Sequence, residues 1–529
     1  MPERGESEDG DQWDEKMNGD PYSGLRPLFG DIHNHCGISY GHGSLEDALS
    51  NAREQLDFVS ITGHAHWPDM PQPEERIQYL IDFHEEGFSR LKSAWPQMME
   101  TLRTRNVEGE FVIFPGFEVH FSATGDRNML YKTLDGEILY PDDLNDLQRL
   151  LQDLRDNGKD SIAQPHHVGY RAGTRGIDWS TFDPTFAPFV ELLSMHGCSE
   201  NSENTRPFLH SMGPSDWEST IACGLRHGHV FGFSGSTDHH SGHPGSYGHG
   251  CTGLWAEACT REAIWDAFYA RRMYALTGDR ILLEFAVNDA AMGDVIPVTT
   301  RRKIAVNVAA GGAIDCVDVI RNGKLIRRLS QMDVAPVSGA SDCVRTKLHL
   351  ELGWGEKHRT TDWCVEFGIH SGRVLNVEPR FRGLEVVAPT ERESDKGESF
   401  YCSRILEKTE RAVLFETQSV GNPTNSTCTT QGMCLEVEMQ RDARVFAVMN
   451  GVRAEHTLEE LMLGARSGSL EHTVAPSWRF NRAPQPGELN WRCEFVDVDD
   501  SGEEGFYYVR VRQTNGQWAW SSPVFLRKF

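Results

Sequence analysis

Short apolar runs alternate with amphipathic stretches through the first half of the chain. Asp57–Thr62 (DFVSIT) reads as a buried strand behind a helical stretch over Ser44–Gln55. Ser44 can cap that helix, and Glu46 and Asp47 suit its first turn. Phe111–Pro115 is a second β run, preceded by a helical region from Glu74 to Arg105. Ser161–Gln164, Phe189–Leu193 and Val230–Ser234 add strands, and Asp142–Asp156 and Arg261–Arg271 add helices. Strand, helix, strand at this spacing predicts a parallel α/β architecture, most economically a barrel. After Ile281 the texture changes. Ile304–Ala309, Cys316–Arg321, Leu348–Leu352, Cys364–Ile369, Ala412–Glu416, Cys434–Met439 and Phe506–Val511 are short, partly alternating apolar runs separated by Gly, Asn and Asp. Asn322-Gly323 is a hairpin signal. This half predicts a β-sandwich, or two small ones. The expected division is an acidic, disordered tail over 1–24, an α/β unit over 25–283 and a β-sandwich-like region over 284–529.

Charge narrows the class. The 529 residues carry 52 Lys and Arg against 78 Asp and Glu, a formal net charge of −26. Such a surface opposes nucleic acid and anionic membranes, which need basic patches to displace counterions. No apolar run is long enough for a membrane-crossing helix. The start of the chain has neither the positive first segment nor the apolar middle of an export signal. With twelve cysteines and no CxxC pair, reduced thiols and a cytoplasmic location are expected. Asn425-Ser426-Thr427 then matches a glycosylation acceptor by chance. An oligomer is left open.

Most of the 22 histidines fall before residue 250. The sequence Asp31-Ile32-His33-Asn34-His35 places two histidines at i and i+2 of an extended segment, where both rings point the same way. His42, Thr62-Gly63-His64-Ala65-His66, Glu118, His166-His167, His196 and Ser236-Thr237-Asp238-His239-His240 follow, several directly after an apolar run. Loops after parallel strands open on one face, so these groups can meet in space. Imidazole with carboxylate suits Zn, Mn or Fe, and the lack of clustered thiols disfavours a structural zinc site. A carboxylate such as Glu118 can bridge two cations, and paired cations bind phosphoester oxygens and acidify water.

The order DxHxH, a strand ending in T-x-H, a PGxE turn, an HH turn and a final SxDxH resembles the PHP (polymerase and histidinol phosphatase) superfamily over Leu28–Arg280. The motifs GSTDHH, Trp255–Leu276, RMYALTGDRI and FYYVRVRQTNGQWAWSSPVF are similar to its branch labelled DUF3604. The resemblance implies a distorted (β/α)7 barrel with two or three divalent transition-metal ions. His33 and His35 would hold the first with Glu118 and Asp238. Glu118 would bridge to a second, completed by His196 and one of His166 or His167. His42, His64 and His240 would hold the third. Asp31, His64, Glu118 and Asp238 are the candidate catalytic residues, with a bridging water or hydroxide as nucleophile. Many relatives carry T-D-H where this chain has Thr62-Gly63-His64, a departure that bears on rate or occupancy.

The implied reaction is hydrolysis of a small-molecule phosphate mono- or diester. Arg171, Arg175, Arg206 and Arg280 are candidates to clamp its phosphate, because a guanidinium meets two oxygens at once. Tyr170 is a candidate to stack on the leaving group. His66, His120, His239, His243 and His249 fall outside the pattern and are expected as surface or supporting groups. Cys36, beside the ligands, is expected as a small filler. The ligand types alone equally permit hydrolysis of C–N or C–O bonds, or metal-dependent binding without catalysis.

Overall fold

The computed structural model describes residues 20–333, 342–384, 402–422, 424–425 and 428–529. The tail expected over 1–24 lies outside the described residues up to position 19, as do Ser426 and Thr427 of the acceptor-like triplet. Tyr22 is buried, packs on Trp255 at 5.2 Å and donates from its hydroxyl to Phe285 O at 2.7 Å.

The N-terminal half runs β1 (Arg26–Asp31), α1 (Leu45–Gln55), β2 (Phe58–Val59), β3 (Thr62–His66), α2 (Gln78–Arg105), β4 (Val112–Ile113), β5 (Gly116–Val119), β6 (Arg127–Tyr131), α3 (Leu144–Asp156), β7 (Ser161–Pro165), β8 (Phe189–Ser194), β9 (Gly197–Cys198), α4 (Ile221–Arg226), β10 (Gly232–Gly235), β11 (Cys251–Ala256), α5 (Arg261–Tyr269) and β12 (Met273–Leu276). The cap of α1 sits where the sequence puts it, and α3 carries one of the same kind. Ser44 accepts from Asp47 N at 3.0 Å, and Asp143 accepts from Asp146 N at 2.8 Å. Each satisfies one of the orphan N–H groups of a helix start.

Parallel pairing joins β1 to β2, β2 to β4, β3 to β5 and β8 to β10. The strands β2 and β3 are two pieces of one extended path, as are β4 and β5, so each path leaves one sheet and enters another. Elsewhere pairing is antiparallel: β5–β6, β6–β7, β8–β9 and β11 with both β1 and β12. A short loop rather than a helix links β5 to β6, which forces that reversal. Among the described residues the ladders do not close into a barrel: β7 ends one sheet and β8 lies in another. What stands is a mixed α/β, strand-rich fold with few helices.

Beyond residue 281 strands dominate. Asn322 and Gly323, with φ of 48° and 75°, turn Ile314–Arg321 back on Lys324–Ser330, the primed turn that Asn-Gly favours. Two five-stranded sheets drawn from residues 343–480 enclose their own core, with Leu350, Val365, Phe367, Phe415, Leu435 and Phe480 fully or nearly fully buried. Of the remaining strands, Leu282–Val287, Ala290–Ala291, Arg301–Ala309 and Asn490–Val498 form a four-stranded sheet of their own and the others extend the first sheet: Trp518–Ser521 pairs with β12, and one continuous core runs from Phe29 and Tyr274 to Val509 and Leu526. Among the described residues no disulfide joins the twelve cysteines.

Candidate metal centre

The first strand delivers the first donors. At its end Asp31 is buried, and its carboxylate accepts from Thr237 Oγ1 (2.6 Å), Gly245 N (2.8 Å), Thr237 N (3.1 Å) and His33 N (3.2 Å). Burial pushes its pKa up to about 6, and these donors only partly oppose that shift. Asp31 thus ties the 31–35 segment to the 237–245 loop. Main-chain bonds finish the seam: Asp238 N donates to His33 O and His35 N to His239 O, each at 2.8 Å. Asp238 itself has φ of 51°, a left-handed conformation in which this seam holds it.

Glu118, at the end of β5, is the hub. Its Oε2 lies 3.1 Å from His64 Nδ1, 3.4 Å from His35 Nε2 and 3.6 Å from His33 Nε2. Its Oε1 lies 3.1 Å from both His166 Nε2 and His120 Nδ1. Asp238 mirrors it: Oδ1 faces His35 Nε2 at 3.1 Å and His33 Nε2 at 3.2 Å, while Oδ2 faces His196 Nε2 at 2.9 Å. His240 Nε2 meets His64 Nε2 at 3.0 Å. Four donor groups have their ligand atoms within 4.8 Å of one another: His35/His64/His240, His33/His35/Glu118, His64/Glu118/His120 and Glu118/Asp126/His166/His167. Every member is buried. Glu118 Oε2, His33 Nε2, His35 Nδ1 and Nδ1 of both His166 and His167 are buried without a hydrogen bond. Buried polar atoms left so are costly. Cations beside Glu118 would satisfy its Oε2 and His33 Nε2, so the donor set fits metal ions.

Of the expected ligands, His33, His35, His64, Glu118, His166, His196, Asp238 and His240 come together. His167 lies behind them, with Nε2 3.5 Å from Asp126 and its N–H donating to Glu191 Oε1 at 3.1 Å. Both members of the His166–His167 doublet therefore belong to the cluster. His196 and Asp238 join through their mutual contact and the contact of Asp238 with His33 and His35, outside the four groups; the ring of His42 is also outside them, and its backbone N–H donates to His240 O at 2.7 Å, which sets its loop against the cluster. Asp31 stands outside the groups, both its oxygens engaged by backbone and Thr237. At Gly63 an added Cβ would press Leu91 Cδ1 at 2.9 Å and Ser39 Oγ at 3.3 Å; Ser39 Oγ accepts from His64 N at 3.1 Å.

Among the clamp candidates only Arg175 reaches the cluster. Its Nε and Nη2 hold Asp126 Oδ2 at 2.6 and 2.5 Å, Nη2 also bonds His120, and the guanidinium stacks on Trp67 at 5.3 Å. Arg206 donates to Gly248 O, Arg280 donates to Gln55 O, and Arg171 is exposed. Tyr170 is buried with its hydroxyl 2.7 Å from His196 Nδ1, so it orients that ring and has no face free for stacking. Cys36 is the expected filler, buried, its thiol pushed up to about 12 by burial.

The pattern missed His120, Asp126, Glu191, Tyr40 and His84. Glu191 Oε2 takes His33 Nδ1 at 2.7 Å, which turns Nε2 toward Glu118 and Asp238. Tyr40 stacks on His64 with ring centres 3.7 Å apart, and its hydroxyl meets His84 Nε2 at 3.1 Å. Two signals were available. His120 follows Glu118 at i+2 on an extended chain, and Glu191 is a carboxylate inside the apolar run FVELLS.

Burial holds His35, His64, His167, His239 and His240 below the ordinary histidine range, and takes His84 and His243 down to about 3. His33 is the exception. Burial lowers it too, but Asp238 and Glu191 outweigh that and hold it well above the ordinary value. Burial opposes the charges of Glu118 and Asp238, yet surrounding imidazoles keep both well below the carboxylate range. The depressed histidines bind protons in the unfolded chain but not in the folded one. Their contribution is therefore complete above about pH 6.5 and lost as pH falls toward the folded values. His33 has the opposite sign and is outnumbered. The metal-free protein is expected to lose thermal stability steeply below pH 6.5, read as melting temperature against pH; a flat profile between pH 7 and 5 contradicts neutral buried rings.

Three comparisons bear on this chain. The family model for DUF3604, a protein of unknown function, matches residues 245–314. That stretch holds Trp255–Leu276 and the RMYALTGDRI segment. An uncharacterized protein of Chlamydia muridarum is 29% identical over 165 residues, 28% of this chain and 27% of that protein. Another, from Chlamydia pneumoniae, is 26% identical over 263 residues, 44% of this chain and 40% of that protein. The chain thus spans less than half the length of these relatives. A crystal structure of a two-domain protein from Bacteroides vulgatus, described as containing a predicted PHP-like metal-dependent phosphoesterase, covers 82% of this chain and 96% of its own at 11% identity and a TM-score of 0.31. Among the described residues no helix is long and apolar enough to cross a membrane.

Proposed function

We propose that the chain is a metal-dependent hydrolase of small-molecule phosphate esters, with two or three divalent transition-metal ions at the Glu118 cluster. One observation carries this reading: the two oxygens of a single buried carboxylate face different sets of imidazoles, the arrangement a bridging ligand requires. Residues 25–283 would form the hydrolytic unit, a distorted PHP-type (β/α)7 barrel in outline, and 284–529 its β-rich companion. His33, His35 and Asp238 would hold one ion beside Glu118 Oε2. His166 with His196 would serve a second beside Oε1, and His64 with His240 a third. Mn, Zn or Fe suits such donors. Bound there, the metals would neutralise phosphoryl oxygens and acidify a water.

The chain's own groups do the rest. Glu191 and Tyr170 fix the rings of His33 and His196, so that Nε2 of each faces the carboxylates. Arg175, locked by Asp126 and stacked on Trp67, presents a partly exposed guanidinium beside Glu118, with Nη2 3.7 Å from Oε1. It is the one clamp candidate placed to meet a phosphate. Its restraint before substrate arrives lowers the entropy cost of binding. The test is elemental analysis of the purified protein, with p-nitrophenyl phosphate and bis(p-nitrophenyl) phosphate assayed on the same sample beside lactone and amide panels. Two or more equivalents of metal with phosphoester turnover are expected. Turnover confined to lactones or amides, or full loading with no turnover, refutes the assignment.

A further inference from the structure

The loop that carries Asp238 and His240 runs on through Ser246, Tyr247 and Gly248 and meets the end of strand Arg373–Arg380, far away in the β-rich half. The contact is built from both sides. Tyr247 N donates to Phe381 O at 2.9 Å, Arg382 Nε donates back to Tyr247 O at 2.9 Å, and Gly383 N donates to Ser246 Oγ at 3.1 Å. The buried Tyr247 hydroxyl donates to Asp279 Oδ1 at 2.7 Å, and the same oxygen takes Arg380 Nη2 at 2.9 Å. Both guanidiniums lie over the Tyr247 ring, Arg382 at 4.8 Å and Arg380 at 5.4 Å from its centre. Arg382 is itself pinned, with Nη1 2.7 Å from both Thr430 O and Oγ1. At Gly383 a Cβ would come within 2.6 Å of His243 Cβ and 2.8 Å of His239 Cε1, so the backbone rests directly on the ligand loop.

The loop needs such support. It has no helix or strand between β10 and β11. Asp238, Gly242, Gly245, Gly248 and Gly250 all have positive φ. Asp31 holds its front against the first strand, Asn51 and Gln55 of α1 hold its middle by donating to Gly242 O at 2.9 Å and Pro244 O at 3.1 Å, and its back, at Ser246–Gly248, meets Arg206 and the Phe381–Gly383 segment.

We propose that Arg382 and Tyr247 are positioning residues for the metal centre: the β-rich region braces the Thr237–Gly248 loop and thereby sets the places of Asp238 and His240. The inference rests on reading the cluster as a metal centre. Groups that orient ligands from behind typically change metal affinity by 10- to 100-fold when removed. In the full-length chain, Arg382→Ala is therefore expected to weaken binding of Mn2+ or Zn2+, measured by competition with a chelating dye, by roughly 10- to 100-fold. Saturating metal should restore its phosphoester turnover. Tyr247→Phe, which removes only the hydroxyl bond to Asp279, should shift affinity the same way by less and covers the case in which Arg382→Ala fails to fold. Val365→Ala, in the β-rich core away from the loop, should lower the melting temperature and leave metal affinity unchanged. Unaltered affinity in both brace variants overturns the proposal, as does an equal loss in Val365→Ala. A wild-type chain that binds no metal removes the underlying reading as well. Metal bound without phosphoester turnover removes only the proposed reaction and leaves the brace measurable.

Discussion

Replacing Glu118 by glutamine is expected to remove most of the bound metal and to lower phosphoester turnover by roughly 10²- to 10³-fold or more, the scale of losing a main electrostatic contributor to a transition state. The side chain keeps its size, so the packing around β5 is preserved. What changes is charge. Both oxygens of Glu118 face imidazole nitrogens at 3.1 Å, and no other carboxylate in the cluster reaches His64, His120 and His166 together. An amide offers one weaker acceptor and turns an N–H₂ toward whichever set it faces, so a bridge between cations is lost on one side. Elemental analysis and turnover should fall together, with the circular dichroism of the folded chain retained. A Glu118→Gln protein that keeps full metal content and wild-type turnover contradicts the bridging role outright.

How much of this site could be read in the sequence depends on how each residue acts. His33 and His35 are legible because two residues apart on extended chain means one face, and Glu118, Asp238 and His240 through the motif order that resembles the PHP superfamily. The groups behind them follow no spacing. Asp126 lies in the loop between β5 and β6 and reaches His120, His167 and Arg175 only through the fold. Glu191 was hidden by its own strand, where an apolar run drew attention from the one carboxylate inside it. The arginines show the limit from the other side. Four looked alike in sequence, and packing alone sends Arg206 and Arg280 to backbone carbonyls and Arg175 to the cluster.

The fold divides in the same way. Capped helices and apolar runs fell close to their predicted places because capping and periodicity are local. The antiparallel return of β6 follows from no apolar alternation in its RNMLY run: the turn over Ser122–Thr124, closed by Gly125 N donating to Phe121 O at 2.9 Å, reverses the chain. Nor does any local pattern reveal that Trp518–Ser521 would pair with β12 some 240 positions earlier, as the Ala275–Trp520 register records. Such pairing is chosen by which apolar edge remains uncovered, a property of the whole assembly.

Asp31 separates two roles that a sequence motif cannot distinguish. If its carboxyl moved a proton in the reaction, Asp31→Asn would keep its metal and its stability while losing turnover and altering the acid limb of the pH–rate profile. The geometry predicts otherwise. The carboxylate accepts from Thr237 Oγ1, Thr237 N, Gly245 N and His33 N, and its removal strands those buried donors. Each unsatisfied donor costs on the order of 1–3 kcal/mol, so Asp31→Ala is expected to lose about 3 kcal/mol or more of stability together with metal affinity, since the seam it ties holds both His33 and Asp238. Asparagine fares little better, because its N–H₂ must point at one of the same donors. In both variants the turnover that survives at saturating metal should keep the wild-type pH profile. Calorimetric melting, metal titration and a pH–rate curve decide the matter: a stable, fully loaded and inactive Asp31→Asn would make Asp31 a participant in the chemistry and not the clasp of the two ligand segments.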